Sequence, residues 1–378
     1  MRRIYLDHNA TTPLDPEVLA AMTAVLRGDY GNPSSIHWFG QRARAVVEEA
    51  RERVARLLGA RASDIVFTAS GTEADNMALR GVRGAAADRS RGILYAAIEH
   101  HAVIHCARSL AEEGWRVASV RVDAGGRVDL DHLAACLAEP TTLVAVMLAN
   151  NETGVIQPLT EVVALAHAHG ALVLCDAVQA AGKIEIDAPA LGVDLLALSA
   201  HKLHGPKGVG ALWVRHGIPL KALVHGGGQE RHRRAGTENV AGIAGFGQAA
   251  SLAKERLARD AAHVRTLREL LDTELLAISG ARRNGDGPRI PNTTNVSFED
   301  VEAESLVLAL DLAGVAVASG AACSSGAIEP SHVLRAMGLP LARVRSAVRF
   351  SLGRGNTDDE ISAAAATVRE AVARQRRR

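Results

Sequence analysis

The chain has 378 residues and a formal net charge of +1, room for one large domain and a smaller one at about 150 residues each, with no electrostatic footprint for nucleic acid or an anionic membrane. At 48% hydrophobic and 22% charged residues, the composition is globular and excludes disorder over the bulk of the chain. No apolar run approaches the ~20 residues of a membrane span, and no charged-then-apolar leader opens the chain, so a cytoplasmic location is expected.

In chain order, Ala43, Val46, Val47, Ala50, Val54, Leu57 and Leu58 recur at three- and four-residue spacing and predict a helix over 41–58. Short apolar, β-branched runs predict strands at 64–68, 93–98, 115–120, 143–148, 171–175, 194–198 and 209–214. Several are apolar at nearly every position, as strands covered on both faces are. Their alternation with helical patterns predicts an α/β fold, a mostly parallel central sheet with helices on both faces and ligand sites at the carboxyl ends of its strands. After Gly236 the pattern changes: Ala-rich stretches at 240–257 and 262–278 read as two helices, with a domain boundary near residue 255. Strands at 294–298, 315–318 and 347–352, with helices at 302–312, 331–337 and 357–373, then make a smaller α+β unit. The basic end, 374–378, reads as a frayed, solvated helix end.

The chemistry-bearing segments share one address. DIVFTASGTEADN (64–76) is a strand, a Ser70-Gly71-Thr72-Glu73 turn and a helical pattern. Free amides at such a helix start attract phosphate, while Ser70 with Glu73 equally fits a structural capping box. EHHAV (99–103) sets His100 just after a strand, where a ring can stack on a planar cofactor or shuttle protons, and ANNETG (149–154) sets Asn150 and Asn151 after another. Both residue types are also ordinary in turns. ALVLCDAVQAAGK (171–183) puts Asp176 at the end of an apolar run, and SAHKLHGPKGVGA (199–211) puts Lys202 at the end of the next. Such a pair suits pyridoxal phosphate: the carboxylate holds the pyridine nitrogen protonated and the lysine carries the aldehyde. Read blandly, Asp176 caps a helix and Lys202 is a loop lysine. GGGQE (226–230) and GTEN (236–239) are further glycine-rich turns, and neither matches a Walker loop. Four cysteines lack metal or disulfide spacing. Cys106, Cys136 and Cys175 have apolar surroundings and read as core residues. Cys323, in the small, glycine-rich SGAACSSG (319–326), has the flexible setting of a reactive thiol.

Together with YLDHNATTP (5–13), GNPSSIH (31–37), RAGTENV (234–240), EPSHVLRAMGL (329–339) and VRFSLGR (348–354), these segments resemble, in order and over nearly the whole chain, the cysteine desulfurases. These are pyridoxal-phosphate enzymes of fold type I, and SGAAC resembles their long-loop branch. The resemblance implies a large cofactor-binding domain over 15–255, and a small one from 1–14 and 256–378 that carries the cysteine loop. It implies Lys202 as the Schiff-base lysine and proton carrier, Asp176 on the pyridine nitrogen, Gln179 on the phenolic oxygen, and His100 against the ring. Gly71, Thr72, Ser199 and His201 would hold the phosphate, with Thr237 reaching in from the second subunit of a homodimer. Asn32, Asn151 and Arg349 would bind the substrate carboxylate. L-cysteine would become L-alanine, with its sulfur passing to Cys323 as a persulfide and on to an acceptor protein. An iron–sulfur scaffold is one such acceptor, and Cys323 would then be a transient cluster ligand; no resident metal is expected. A related pyridoxal-phosphate reaction in which Cys323 is incidental, or a scaffold that has lost catalysis, remains open on residues alone.

Overall fold

The computed structural model describes residues 3–82, 91–319 and 330–377; the loop around Cys323 lies outside the described residues. β1 (Ile4–Tyr5) leads to α1 (Pro16–Gly28), whose start is set by the Asp15 carboxylate, which accepts from Glu17 N–H at 2.8 Å, and by Pro16 in a position that needs no N–H. α2 (Trp38–Leu57) begins before the apolar periodicity does, because His37 Nδ1 caps Gly40 N–H.

The elements that follow are β2 (Ile65–Thr68), α3 (Gly71–Gly81), β3 (Gly92–Ala96), α4 (His101–Glu112), β4 (Arg116–Val120), α5 (Leu130–Leu137), β5 (Leu143–Ala145), α6 (Leu159–Ala168), β6 (Leu172–Asp176), α7 (Ala188–Leu191), β7 (Leu195–Ser199) and β8 (Gly210–Val214). β2 to β8 form one sheet in the order β2-β8-β7-β6-β5-β3-β4. All neighbours pair in parallel except β8, which is antiparallel to both β7 and β2. Every predicted strand of this unit is present, and the continuous apolar runs have the expected cause. Leu94, Val144, Val173 and Leu196 pack on one face of the sheet, while their neighbours Ile93, Leu143, Leu174 and Leu195 pack on the other. Each fully buried side chain of this kind contributes about 1.5–3 kcal/mol. β5 is shorter than the predicted 143–148 run, yet Val146 and Leu148 N–H still bond to Leu174 and Asp176 carbonyls.

Residues 240–276 form one helix, α8 (Val240–Leu276), where two were expected. No Gly or Pro interrupts residues 254–261, so an exposed polar turn continues the helix instead of ending it. Its first half gives Ile243, Phe246 and Leu252 to the core of the large sheet; its second half gives Val264, Leu267, Leu271 and Leu275 to a separate core. There follow β9 (Ala281–Arg283), β10 (Thr293–Phe298), α9 (Ala303–Leu312), β11 (Val315–Ala316), β12 (Ala318–Ser319), α10 (His332–Ala336), α11 (Leu341–Arg345), β13 (Ala347–Ser351) and α12 (Asp358–Gln375). Of these, β10, α9, β11, β13 and α12 complete the second core, whereas α10 and α11 give Val333, Leu334 and Val344 to the core of the large sheet. The strands pair as β12-β13-β10-β9, antiparallel, with β1 beside β11. Of the basic end, the described residues 374–377 are more ordered than the frayed end expected: α12 runs through Gln375, and Arg376 Nε donates to the Glu299 carbonyl at 2.9 Å. Among the described residues no helix is long and apolar enough to cross a membrane.

Candidate active site

A cavity of about 280 Å³ opens at the carboxyl ends of the parallel strands, where this topology places ligands. Its lining includes Gly71 and Thr72 after β2, His100 after β3, Asn151 after β5, Asp176 at the end of β6 with Gln179 beyond it, and Ser199 at the end of β7 with His201 and Lys202 beyond it. Thus nine of the sequence-predicted positions meet in one place.

Lys202 ends a single 3-10 turn that leaves β7, and the turn is pinned from the N-terminal segment. His204, in the left-handed region at φ 64°, donates its N–H to Thr12 Oγ1 at 2.8 Å. Lys202 Nζ donates to the carbonyls of Asn9 at 2.5 Å and Ala10 at 2.8 Å. Burial, then the Arg349 charge, hold the amine below the usual lysine range at about 8, against the pull of Asp176 and Asp7. A neutral fraction is therefore present near neutral pH.

Asp176 closes β6, buried, with Oδ1 accepting from Val178 N–H at 2.9 Å. Burial pushes it up, against that hydrogen bond and Lys202. Behind it lie two more buried acids: burial and then the Asp176 charge raise both Asp75 and Glu99 well above the carboxylate range. Asp75 Oδ1 and Glu99 Oε2 have no hydrogen-bond partner among the described residues. Burial thus favours the neutral form of Asp75 and Glu99, and Asp176, which also faces Lys202, is the carboxylate of the three best placed to meet a protonated ring nitrogen.

His100 caps α4, its Nδ1 accepting from Ala102 N–H at 3.1 Å. In the neutral ring that bond puts the proton on Nε2. Neutrality follows from burial, then Lys202, which draw His100 down to about 4. His201 is likewise drawn to about 4, and its Nδ1 lies 3.1 Å from Thr11 Oγ1. At α3 the expected capping box is only half present: Ser70 Oγ accepts from Glu73 N–H at 3.1 Å, but the Glu73 carboxylate bonds Ala69 N–H and Arg234. The first-turn amides of α3 have no helical acceptor. A Cβ on Gly71 would meet Val178 Cγ2 at 2.8 Å, so glycine lets this turn close against β6 and β7. The residues present therefore fit pyridoxal phosphate, with a cradle of amides for its phosphate and a carboxylate for its ring nitrogen.

Other predicted positions fall elsewhere. Arg349, buried in β13, donates to the Asn151 carbonyl at 3.1 Å and to Asp7 Oδ1 at 2.7 Å, and its Nε has no hydrogen-bond partner among the described residues. Asn32 is exposed in the loop between α1 and α2, its Oδ1 accepting from Ser34 N–H. Thr237 is exposed and lines a different cavity with Glu230, Arg234 and Glu238. Cys106 and Cys175 are buried as expected, and Cys136 is half-buried. Among the described residues no cluster could hold a metal ion.

Three participants were not anticipated: Asn9, Asp75 and Lys183. Lys183 Nζ donates to the Gln179 carbonyl at 2.9 Å and to Gln179 Oε1 at 3.0 Å. Burial, then Lys202 and Arg349, draw it down to about 7. All three stand inside motifs of the sequence, and Lys183 carries a visible signal, a charged residue closing an otherwise apolar run.

A mixed, mostly parallel sheet with a lysine and an aspartate at the ends of adjacent strands defines a fold-type I pyridoxal-phosphate enzyme. The chain belongs to the class-V aminotransferase family, whose model matches residues 4–363, and within it to the cysteine desulfurases. It is 44% identical over 367 residues to the cysteine desulfurase IscS of Dictyoglomus turgidum, covering 96% of this chain and 92% of that one. Among solved structures it is similar to a NifS-like protein, with a TM-score of 0.91, 40% identity and coverage of 97% and 98% of the two chains. It is also similar to SspA in complex with cysteine, with a TM-score of 0.83, 30% identity and coverage of 94% of this chain and 100% of that one.

Proposed function

We propose that this enzyme converts L-cysteine to L-alanine and passes the sulfur to Cys323 as a persulfide, from which an acceptor thiol, such as that of an iron–sulfur scaffold or a thiolation protein, collects it. The observation that carries the reading is the meeting of Lys202 and Asp176 at the ends of β7 and β6 on one cavity. When bound, pyridoxal phosphate supplies an electron sink for charge that develops next to the substrate nitrogen. In this reading Asp176 holds its ring nitrogen, Gln179 its phenolic oxygen, and Gly71, Thr72, Ser199 and His201 its phosphate.

The chain's own groups then do the following. Lys202, partly neutral at about 8, takes the proton from the substrate α-carbon and returns a proton to the product. His100 presents an Nε2 proton to the cavity. Arg349 and Asn151 receive the substrate carboxylate, for which Arg349 must exchange its contact with Asp7; a guanidinium fork matches a carboxylate. The Cys323 thiolate attacks the substrate sulfur, the carbon–sulfur bond breaks with its electron pair moving to carbon, and that carbon is protonated. One cysteine and one enzyme thiol thus become one alanine and one persulfide. The enzyme works as a cytoplasmic homodimer, in which Thr237 of one subunit completes the phosphate site of the other; its exposure in the single chain supports that reading.

The test mixes purified protein with L-cysteine and measures alanine, and sulfide released by a thiol reductant, with Cys323→Ala alongside. Alanine and reductant-dependent sulfide from wild type alone are expected. Full activity in Cys323→Ala would overturn the persulfide step and favour a related reaction.

A further inference from the structure

Lys202 also lines a second cavity, of about 60 Å³, shared with Lys183, His8, His204, Asp260 and Arg354. Lys183 reaches from there to Gln179, giving hydrogen bonds to its backbone carbonyl at 2.9 Å and its side-chain Oε1 at 3.0 Å. A protonated amine can only donate, so while Lys183 carries its proton the Gln179 amide is not free to flip: its oxygen is committed to Lys183. Its Nε2 accordingly faces the other way and donates to the Asn9 carbonyl at 3.0 Å, the same oxygen that receives Lys202 Nζ at 2.5 Å. The second N–H of that amide group is left over, on a residue that lines the main cavity.

We propose that Lys183, in its protonated form, is a positioning residue that locks the Gln179 amide with its donor end toward the cofactor cavity, so that the site beside Lys202 offers a hydrogen-bond donor rather than an acceptor. The inference rests on the reading of that cavity as the pyridoxal-phosphate site, where a donor favours an ionised phenolic oxygen. An amide turned the other way would set a carbonyl against that oxygen. Several charged or titratable groups face Lys183: Lys202 and His204 on the turn after β7, His201 beside them, His8 after β1, Arg349 on β13, Asp260 on α8 and Arg354 after β13. Most are cationic or held neutral by burial. Gln179 is thus the acceptor that Lys183 finds within its own segment.

In the holoenzyme, the visible band of bound pyridoxal phosphate reports protonation at the Lys202 linkage, so its pH midpoint reads the lock. Lys183→Met, which removes both the lock and a nearby cation, is expected to raise that midpoint by about half a pH unit or more, and Lys183→Arg to bring it back toward wild type. In a Gln179→Leu background, Lys183→Met should add little, since contacting residues that act together are not additive. An unchanged midpoint in Lys183→Met, or an equal shift in both backgrounds, overturns the proposal. No substitution is needed for the second readout: in apoprotein labelled with 15N-glutamine, the Gln179 side-chain amide resonance should move as pH crosses neutrality, and a flat resonance overturns the lock. A wild-type protein with no visible band would count against the cofactor reading instead, and the amide resonance would still decide the lock.

Discussion

Lys202 and Lys183 both titrate below the ordinary lysine range, at about 8 and about 7 against 10.5 in an open chain, and this fixes the sign of one pH effect. Between about pH 7 and 9 the unfolded chain keeps both lysines protonated while the folded apoprotein releases protons from them. At these two sites the unfolded state binds more protons, so their contribution to stability rises with pH across that window and is lost as pH falls through the folded values. The buried carboxyls of Asp75, Glu99 and Glu152, raised by burial, hold protons in the folded state and oppose the lysines, so the lysine effect is read as a difference. In thermal melts of the two apoproteins, wild type should gain on the order of 2 kcal/mol on Lys183→Met from pH 7 to 9, and parallel profiles would contradict the burial of the Lys183 amine. Above about pH 9 the buried thiol of Cys175, pushed up by burial, joins these acids in opposing the lysines. Lys202 and Asp176 were legible in the sequence because each ends an apolar run, and a polar residue at a strand's carboxyl end has few purely structural reasons to be there. Asn9 was not legible. Its carbonyl meets Lys202 across 193 residues, and nothing local in YLDHNATTP marks a backbone oxygen as a partner. Arg349 entered only through resemblance, although a charged residue in the fully buried β13 is itself a signal that position 349 has a partner inside.

The strands of the large sheet were readable because burial on both faces leaves no polar positions to blur them. α8 was misread for the converse reason. Where a helix crosses solvent between two cores, its outward and inward faces both turn polar, and Arg256, Arg259 and Asp260 imitate a loop. The same turn is anchored to other segments: Arg256 pairs with Asp15 and Glu17 of α1, and Arg354 pairs with Asp15 and Asp260. A continuous helix there couples the core that holds β2 to β8 with the core that holds β13 and Arg349. Ala258 is exposed in the middle of it, so Ala258→Pro removes no buried side chain and acts on the backbone alone. The substitution should cost about 3 kcal/mol, and denaturation followed by the fluorescence of Trp38, Trp115 and Trp213, all outside the second core, and by circular dichroism should separate into two transitions where wild type shows one. Coincident curves at unchanged midpoint would mean that α8 does not couple the cores.

The proposed homodimer gives two features of the single chain a common explanation. Tyr30, Ile36 and Trp38 are 72%, 93% and 65% exposed. With Phe39, stacked on Tyr30 at 5.4 Å and edge-on to Trp38 at 5.0 Å, they form an apolar ridge of the kind that marks an interface. Thr237, meanwhile, stands exposed on a loop that the fold holds firmly: Glu230 at its base is buried, bonded by Arg51 at 2.7 and 2.8 Å and by Phe67 N–H at 2.9 Å. Three residues in left-handed conformation, Glu230, Arg231 and His232, follow from that anchor. Such strain persists only where surrounding contacts over-determine it, so the loop presents Thr237 outward in one fixed shape. If the ridge joins two copies and Thr237 completes the partner's phosphate site, dimerisation and cofactor retention must fail together. Trp38→Asp, which adds a charge to the ridge and touches neither Lys202 nor Asp176, should therefore run as a monomer in sedimentation and lose pyridoxal phosphate on dialysis at least about tenfold faster than wild type, a loss of about 1.4 kcal/mol if it falls on affinity. Thr237→Ala should lose cofactor to a similar degree while remaining a dimer. A monomeric Trp38→Asp that keeps its cofactor as tightly as wild type would place the whole phosphate site within one chain, and Thr237 would then have no part in it.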